Sequence, residues 1–276
     1  LYGHTNGYYV TVEQQGRLTL HLHSLLWIKN AATPQEIRDK IMGGDSVFQK
    51  KLIDYLESAH QGDFIHGSMS NVRERVNADP EASPEEEDLQ SGPTYKVPTQ
   101  TLPSVPPPLC NEVHEDDKCD KCQRLAEWWL TYEHEVDDLL LRSNVHKCRE
   151  SIQDKEDAAA KKDWRNSKKI KPQTRTYHER RGCLSKTGIC KARFPRQIFE
   201  TTHVDEDGHI NIKKAEPQLN TFSRVVTYFS RSNTDVTSLL SGTSVKAVVS
   251  YVSDYVSKLG LKTYQAFASV FDVFER

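Results

Sequence analysis

The chain of 276 residues has no apolar run that approaches the ~20 residues of a membrane-spanning helix. Short runs such as Leu25–Ile28 are far below that length, so no transmembrane segment is predicted. A Gly-x-x-x-x-Gly-Lys-Ser/Thr phosphate loop is also missing, which excludes P-loop nucleotide hydrolysis within these residues. The chain begins at Leu1 without the features of a signal peptide, and we expect it to be a fragment of a longer protein.

The chain also has little net charge, but that average hides two opposed blocks. The formal net charge is −2. Between Lys161 and Arg196 there are 13 Lys and Arg residues against two acids, whereas residues 77–92 contain six acids and no Lys or Arg. The near-neutral total therefore excludes no class of partner.

Cysteine is scarce, and its spacing argues against a disulfide framework. Four of the six cysteines have a Cys or His close by, as in Cys119-x-x-Cys122 and His146-x-Cys148. These are spacings typical of metal ligands. We interpret the cysteines as zinc ligands in a reducing compartment.

Proline is concentrated in one segment, residues 77–109, which holds eight of the twelve prolines. A composition of Pro, Glu, Ser and Thr with few large apolar residues cannot bury enough surface to offset its ordering entropy. We predict a disordered linker here. Before it, a helix is expected near Thr33-Pro34 and another over Asp45 to Ser58.

Two histidines share one face of a predicted strand. Residues 8–13 and 18–28 alternate like the strands of a hairpin, and the even positions of the second strand are so apolar that we expect them to face the core. His21 and His23 then project together from the other face. They can hold a divalent cation, with Glu13 or Gln15 as the third ligand. The alternative is a solvated strand face that happens to contain histidines.

Two tyrosines share one face of a predicted helix over residues 243–259. Its apolar stripe recurs at intervals of three and four, and Tyr251 and Tyr255 lie one turn apart beside it. Lys258 follows on the same side. A phenol can attack phosphorus and an ammonium can stabilise the resulting charge, which favours covalent phosphodiester chemistry. The alternative is a pair of tyrosines at the rim of the core.

Taken together, these motifs resemble a known family. His21-Leu22-His23 is similar to the His-hydrophobic-His motif of HUH endonucleases, and Tyr251-x-x-x-Tyr255-x-x-Lys258 resembles the paired-tyrosine motif of the Helitron transposase Rep domain. The segments 13–23, 190–196 and 233–242 are similar to fungal Helitron helicase-like proteins. The resemblance runs over nearly the whole chain, and its specificity comes from the order of the motifs.

The resemblance implies a mechanism and a set of partners. His21 and His23, with Glu13 favoured over Gln15, would bind Mg²⁺ or Mn²⁺, and Tyr251 or Tyr255 would attack single-stranded DNA to leave a 5′-phosphotyrosine. The family normally carries a helicase domain on the same polypeptide, which is absent here. The expected function is nicking and strand transfer in rolling-circle transposition, in the nucleus and without a membrane partner.

Two sets of residues between the catalytic halves are candidate structural zinc ligands. The first set is Cys110, His114, Cys119 and Cys122; the second is His146, Cys148, Cys183 and Cys190. The second set also matches a pattern that the resembling family carries. The alternative for both is reduced cysteines without metal.

The basic run from Lys161 to Arg196 is a candidate contact to the DNA backbone, because Lys and Arg neutralise phosphate. The residues singled out are Lys168, Lys169, Arg175 and Arg193. Trp164 and Tyr177 interleave with the charges, which suits base stacking. A solvated or nuclear-targeting charge run is the alternative.

The fold class expected from these observations is α+β: an HUH-endonuclease-like antiparallel sheet with flanking helices, interrupted by a zinc-binding, basic insertion. The predicted domains are residues 1–76 (first catalytic half), 77–109 (linker), 110–196 (insertion) and 197–276 (second catalytic half). The competing hypothesis is a zinc-stabilised DNA-binding module without catalysis, from a decayed or domesticated element.

Overall fold

A computed structural model describes residues 2–14, 20–78, 97–110, 119–148, 182–185 and 187–257. The chain divides into two compact units. Unit 1 combines Lys50–Arg149 with Cys183–Thr237, and unit 2 combines Tyr2–Gln49, Glu150–Gly182 and Ser238–Arg276. Cysteine-bearing segments of the predicted insertion share unit 1 with residues 197–237.

The predicted hairpin in unit 2 is confirmed. Strand β1 (Thr5–Gln14) pairs antiparallel with β2 (Leu20–Ile28), and the register places Glu13 opposite His21 and Thr11 opposite His23. Residues directly opposite each other in an antiparallel pair project from the same face. The hairpin therefore brings both histidines and the Glu13 position to one face.

The expectation that the other face of the hairpin lies in the core is wrong for its described residues. Leu22 is 61% exposed and Leu26 45%, and the residues opposite them, Val12 and Tyr8, are 61% and 75% exposed. A two-stranded sheet buries little surface unless another layer covers it. Alternation correctly identified the two faces, but it did not identify which of them is covered.

Both helices expected after the hairpin form. Helix α1 (Pro34–Met42) begins with a capping box, in which Thr33 Oγ1 accepts from the Glu36 N–H at 3.2 Å and Glu36 Oε2 accepts from the Thr33 N–H at 2.7 Å. Proline at the first helical position suits its fixed φ angle. Helix α2 (Ser46–Ala59) follows, with Asp45 accepting from the Phe48 N–H at 3.0 Å.

Unit 1 is built around one long helix. Helix α4 (Asp120–Leu139) continues into a π-helical turn (Leu140–Asn144) and packs against α3 (Met69–Ala78) and α5 (Arg224–Ser230). Its buried residues Tyr132, Val136 and Leu140 recur at intervals of four, which gives one apolar face. The rest of the core cluster consists of Phe64, Val72, Leu219, Phe222 and Tyr228.

A fully buried carboxylate fixes the chain before α3 to the last turn of α4. Asp137 accepts from the Ile65 N–H at 2.7 Å, the His66 N–H at 3.0 Å and the Arg75 guanidinium at 3.1 Å. A buried charge is tolerated only when it is paired and hydrogen-bonded in this way. Asp137 therefore ties together segments more than 60 residues apart in the chain.

The expected linker over residues 77–109 is not disordered throughout. Residues 97–109 lie on unit 1: Pro98 in a 3₁₀ turn (Pro98–Gln100) is buried, and Ser104 Oγ accepts from the Trp128 indole at 2.8 Å. The Ser104 N–H also donates to the Tyr228 hydroxyl at 3.1 Å. The aromatic side chains supply the apolar contacts that the proline-rich segment itself lacks. Residues 79–96 lie outside the described residues.

The remaining elements are short or belong to unit 2. Strands β3 (His203–Val204) and β4 (Ile210–Asn211) form a small antiparallel hairpin in unit 1, and helix α6 (Gly242–Ser257) lies in unit 2. The fold is thus a mixture of helices and two-stranded antiparallel sheets. None of the helices in the described part of the chain has the length and apolar character to cross a bilayer.

Candidate metal centres

One four-residue group in unit 1 has the composition and size of a structural zinc site. Potential ligand atoms of His146, Cys148, Cys183 and Cys190 all lie within 4.8 Å of one another, and Cys190 Sγ is 3.4 Å from His146 Nε2. With Zn–S near 2.3 Å and Zn–N near 2.0–2.1 Å, a tetrahedral site has S–N edges of about 3.5 Å. The second predicted ligand set is therefore brought together, at spacings that fit zinc.

A compact turn supplies two of these ligands. We call residues 183–185 and 187–196 the knuckle. Leu184 and Cys190 form an antiparallel bridge, and the Lys191 N–H donates to the Cys183 carbonyl at 2.7 Å. Gly188 reverses the chain with φ +78°, a conformation that favours glycine. The turn folds the spacing Cys183-x6-Cys190 so that both sulfurs point to one place.

Backbone dipoles favour a thiolate at Cys190. Loss of solvent opposes ionisation of this thiol, but hydrogen bonds from the N–H groups of Phe194 and Ala192, together with those from the Cys148 and Cys183 thiols, hold the Cys190 pKa below its usual value. At Cys148, loss of solvent and the neighbouring Cys190 and Cys183 sulfurs raise the pKa to about 11. Sulfurs this close need a cation if more than one of them is to be ionised.

The histidine of the group is held in its neutral form and in a fixed plane. Loss of solvent, assisted by the Arg196 guanidinium, lowers the His146 pKa, and neutral imidazole is the form that binds metals. The His146 ring stacks on Phe194 with centroids 4.1 Å apart and planes 9° apart. Arg196 lies over the same phenyl ring at 4.6 Å and donates to Asn220 Oδ1 at 2.8 Å. Phe194 thus supports two ligands, Cys190 through its backbone and His146 through its ring.

Replacing Phe194 by alanine is expected to weaken zinc binding about 10- to 100-fold, in the range seen when groups that orient metal ligands are removed. Phe194→Tyr keeps the ring and the backbone, so its affinity should match the wild type. Competition with a chromogenic chelator measures the affinity, and Phe229→Ala, at an exposed phenylalanine of α5, is the control. Equal affinities for Phe194→Ala and the wild type would show that the stack does not orient His146.

A second cluster lies at the amino end of α4. Ligand atoms of Cys110, Cys119 and Cys122 lie within 4.8 Å of one another, and the sulfurs of Cys110 and Cys119 are 3.9 Å apart. Two sulfurs on one tetrahedral zinc are about 3.8 Å apart. The fourth residue of this predicted set, His114, lies outside the described residues.

The start of α4 favours a thiolate at Cys119. Cys119 is the N-cap residue, and the N–H of Cys122, followed by that of Lys121, lowers its pKa. Loss of solvent and the neighbouring Cys119 raise the pKa of Cys122 to about 11. The N–H groups of the first turn of a helix have no partner within the helix, so they stabilise a negative charge placed at its N-terminus.

The two clusters mark the two ends of one helical segment. Cys119 and Cys122 begin α4, and His146 and Cys148 follow directly after its π-helical turn. Cys110 also directly follows the proline-rich segment, whose Ser104 is hydrogen-bonded to Trp128. Both clusters are compatible with structural zinc, and each would tie a loop to an end of the segment that carries much of the unit 1 core.

Part of the ligand set predicted for the catalytic ion lies among the described residues of unit 2. The rings of His21 and His23 are 4.5 Å apart between centroids, on the same half-buried face of β2. The backbone of Glu13 lies opposite His21, whereas Gln15 lies outside the described residues. Imidazole and carboxylate donors on neighbouring strands can chelate one divalent ion.

The tyrosine motif is described through its backbone alone. Tyr251 and Tyr255 lie on successive turns of α6, and Lys258 lies outside the described residues. Of the predicted DNA contacts, Lys168, Lys169 and Arg175 also lie outside them, while Arg193 is exposed on the knuckle with φ +62°.

Sequence reasoning missed the supporting residues Phe194, Arg196, Asn220 and Ser104. The available signal was the motif Cys190–Arg196, in which an aromatic and a basic residue stand four and six places after a ligand. Comparison of the chain with protein-family models, curated proteins and solved structures found no match in any of the three.

Proposed function

We propose that this protein nicks single-stranded DNA and transfers the cut strand through a 5′-phosphotyrosine, as required for rolling-circle transposition. The observation that carries the proposal is the pair His21 and His23, with rings 4.5 Å apart on one strand face and Glu13 opposite His21 in the register. The family resemblance of the His-x-His and paired-tyrosine motifs supports the same reaction class.

The donor set suits a hard or borderline divalent ion. Two imidazoles and one carboxylate leave room for oxygen ligands from a phosphate, and Mg²⁺ or Mn²⁺ accept such mixed sets. The bound ion would act as a Lewis acid on the scissile phosphate. The hairpin contributes rigidity, because both histidines belong to one nine-residue strand paired along its length.

The nucleophile would be Tyr251 or Tyr255 of α6. The phenolic oxygen forms a bond to phosphorus while the bond from phosphorus to the 3′ oxygen breaks. The tyrosine proton passes to solvent, and the released 3′ oxygen takes up a proton, so a 5′-phosphotyrosine and a free 3′-hydroxyl result. The phosphotyrosine conserves the bond energy, so no nucleotide hydrolysis is needed for religation.

A second tyrosine suits strand transfer. Four residues of α-helix rise about 6 Å, so the two tyrosine positions lie on successive turns and their phenols would serve one site. While one tyrosine holds the first 5′ end, the other can cut a second strand. Lys258, three residues after Tyr255, would stabilise charge on the phenolate or phosphate.

The zinc clusters and basic residues would serve DNA binding in this scheme. Zinc would stabilise the small core of unit 1, and Arg193 together with Lys168, Lys169 and Arg175 would contact phosphates. A helicase domain on the same polypeptide and a nuclear location belong to the proposal, since the family works on chromosomal DNA.

A second candidate function is a zinc-stabilised DNA-binding module without catalysis. The two cysteine clusters favour it, because both have spacings that fit zinc and neither needs the tyrosine helix. The two candidates differ in one respect that can be measured, since only the first forms a covalent bond to DNA.

The test is incubation of the protein with end-labelled single-stranded oligonucleotides and Mn²⁺, followed by denaturing electrophoresis. We expect a labelled adduct that EDTA prevents and that Tyr251→Phe/Tyr255→Phe does not form. Tyr2→Phe/Tyr55→Phe is the matched control. Binding of the oligonucleotide without any adduct would favour the second candidate.

A further inference from the structure

The knuckle presents a cationic surface that the zinc cluster does not use. Lys147, Lys191 and Arg193 are exposed, and each lies within three residues of a ligand of the His146, Cys148, Cys183 and Cys190 group. Within the described ranges no ion pair joins any of the three to an acid. Their charges are therefore available to an external anion.

Two other cations, Arg196 at the end of the knuckle and Lys214, differ from these three. Arg196 is bound to Asn220, whose amide donates to Asp235 at 3.0 Å. Loss of solvent lowers the pKa of Lys214 to about 8, and the nearby carboxylates of Asp235 and Glu216 partly oppose this shift. Arg196 and Lys214 thus belong to an internal network, whereas no acid among the described residues pairs with Lys147, Lys191 or Arg193.

The surface is held in place before any ligand binds. Arg193 has φ +62°, which is uncommon for a residue with a Cβ, and its N–H donates to the Cys190 carbonyl at 2.9 Å. Phe194 immediately follows and is stacked on His146. Backbone strain that its surroundings maintain in this way is found at functional sites, where it orients a side chain.

From this arrangement we infer that the knuckle is a binding surface for single-stranded nucleic acid, with Lys191 and Arg193 on the phosphates. This inference rests on the proposed function for its choice of DNA as the partner. The chain leading into the knuckle has the same character, since residues 161–196 carry 13 Lys and Arg against two acids. A long cationic stretch matches the charge of a repeating polyanion better than it matches the charge of a short acidic peptide.

One apolar residue favours a single strand over a duplex. Ile189, between Gly188 and Cys190, is 69% exposed at the tip of the knuckle. Unpaired bases offer their faces to apolar side chains, whereas those faces are stacked inside a duplex. Exposed cations two and four residues after an exposed apolar residue thus match a strand with accessible bases.

The test is fluorescence anisotropy with a labelled single-stranded DNA oligonucleotide across a range of salt concentrations. Each lost phosphate contact lowers the slope of log affinity against log salt by about 0.7 for single strands. We expect Lys191→Ala/Arg193→Ala to lower the slope by about 1.4 and the affinity at 0.1 M salt by about 20-fold. Zinc content should equal that of the wild type.

A matched control removes the same charge elsewhere in unit 1. Lys50→Ala/Lys51→Ala, at two exposed positions of α2, should leave the slope unchanged. Equal slopes for the knuckle variant and this control would overturn the inference, as would a wild type that binds no oligonucleotide. Competition by duplex DNA or poly-glutamate as strong as that by the single strand would also overturn it.

These outcomes are separable from those of the proposed nuclease. A knuckle-dependent salt slope without any covalent adduct supports the inference and rejects nicking. An adduct whose formation and binding do not depend on Lys191 and Arg193 supports nicking and rejects the inference.

Discussion

Replacing Cys190 by serine is expected to remove one zinc ion and to destabilise unit 1 by about 4 kcal/mol or more, the range reached when a structural metal is lost. Cys190 is the only buried cysteine among the described residues, and its sulfur lies 3.4 Å from His146 Nε2. Serine replaces the thiolate ligand by a hydroxyl, which binds zinc poorly. Zinc content by plasma mass spectrometry and urea unfolding measure the two effects.

Chelation provides the control for this prediction. Serine also changes local packing, so the informative quantity is the part of the stability that depends on zinc. A strong chelator should lower the unfolding free energy of the wild type more than that of Cys190→Ser, because a ligand that binds only the folded state stabilises it by mass action. Equal zinc content and equal chelator sensitivity in both proteins would contradict a zinc site at Cys190.

The double substitution His21→Ala/His23→Ala is expected to lower the rate of adduct formation by about 1,000-fold, because several kcal/mol of metal-derived charge stabilisation would be lost. Binding of the oligonucleotide should change little, since the proposed phosphate contacts lie on the knuckle and in the basic run. The rate is measured from the labelled adduct at saturating Mn²⁺.

The matched control for the histidine pair is His203→Ala/His209→Ala. These two exposed histidines belong to the β3–β4 hairpin of unit 1. Their replacement also exchanges two histidines for two alanines. Their variant should form adduct at the wild-type rate. A similar rate for both double variants would mean that His21 and His23 hold no catalytic ion.

Local patterns in the sequence predicted those features that depend on neighbouring residues. The β1–β2 hairpin follows from alternation, and the start of α1 follows from Thr33 and Pro34. In the structure Thr33 forms a capping box with Glu36. The grouping of His146, Cys148, Cys183 and Cys190 also followed from the sequence, because the ligand types limit the possible partners.

Features that depend on distant parts of the chain were not predictable in this way. Asp137 is buried because backbone amides more than 70 residues away bind it, and nothing in its local sequence indicates that. Ser104 lies in a proline-rich segment that reads as a linker, yet Trp128 and Tyr228 hold it. The exposed leucine face of the hairpin belongs to the same class, since burial of a strand face depends on what other layer is present.

Peptide mapping of the covalent adduct tests the central claim most directly. The protein is incubated with a single-stranded oligonucleotide and Mn²⁺, digested with protease and nuclease, and analysed by mass spectrometry. The account predicts a peptide in which Tyr251 or Tyr255 carries a nucleotide through a 5′-phosphate. An adduct attached to another residue, or no adduct from zinc-loaded protein that binds the oligonucleotide, would contradict it.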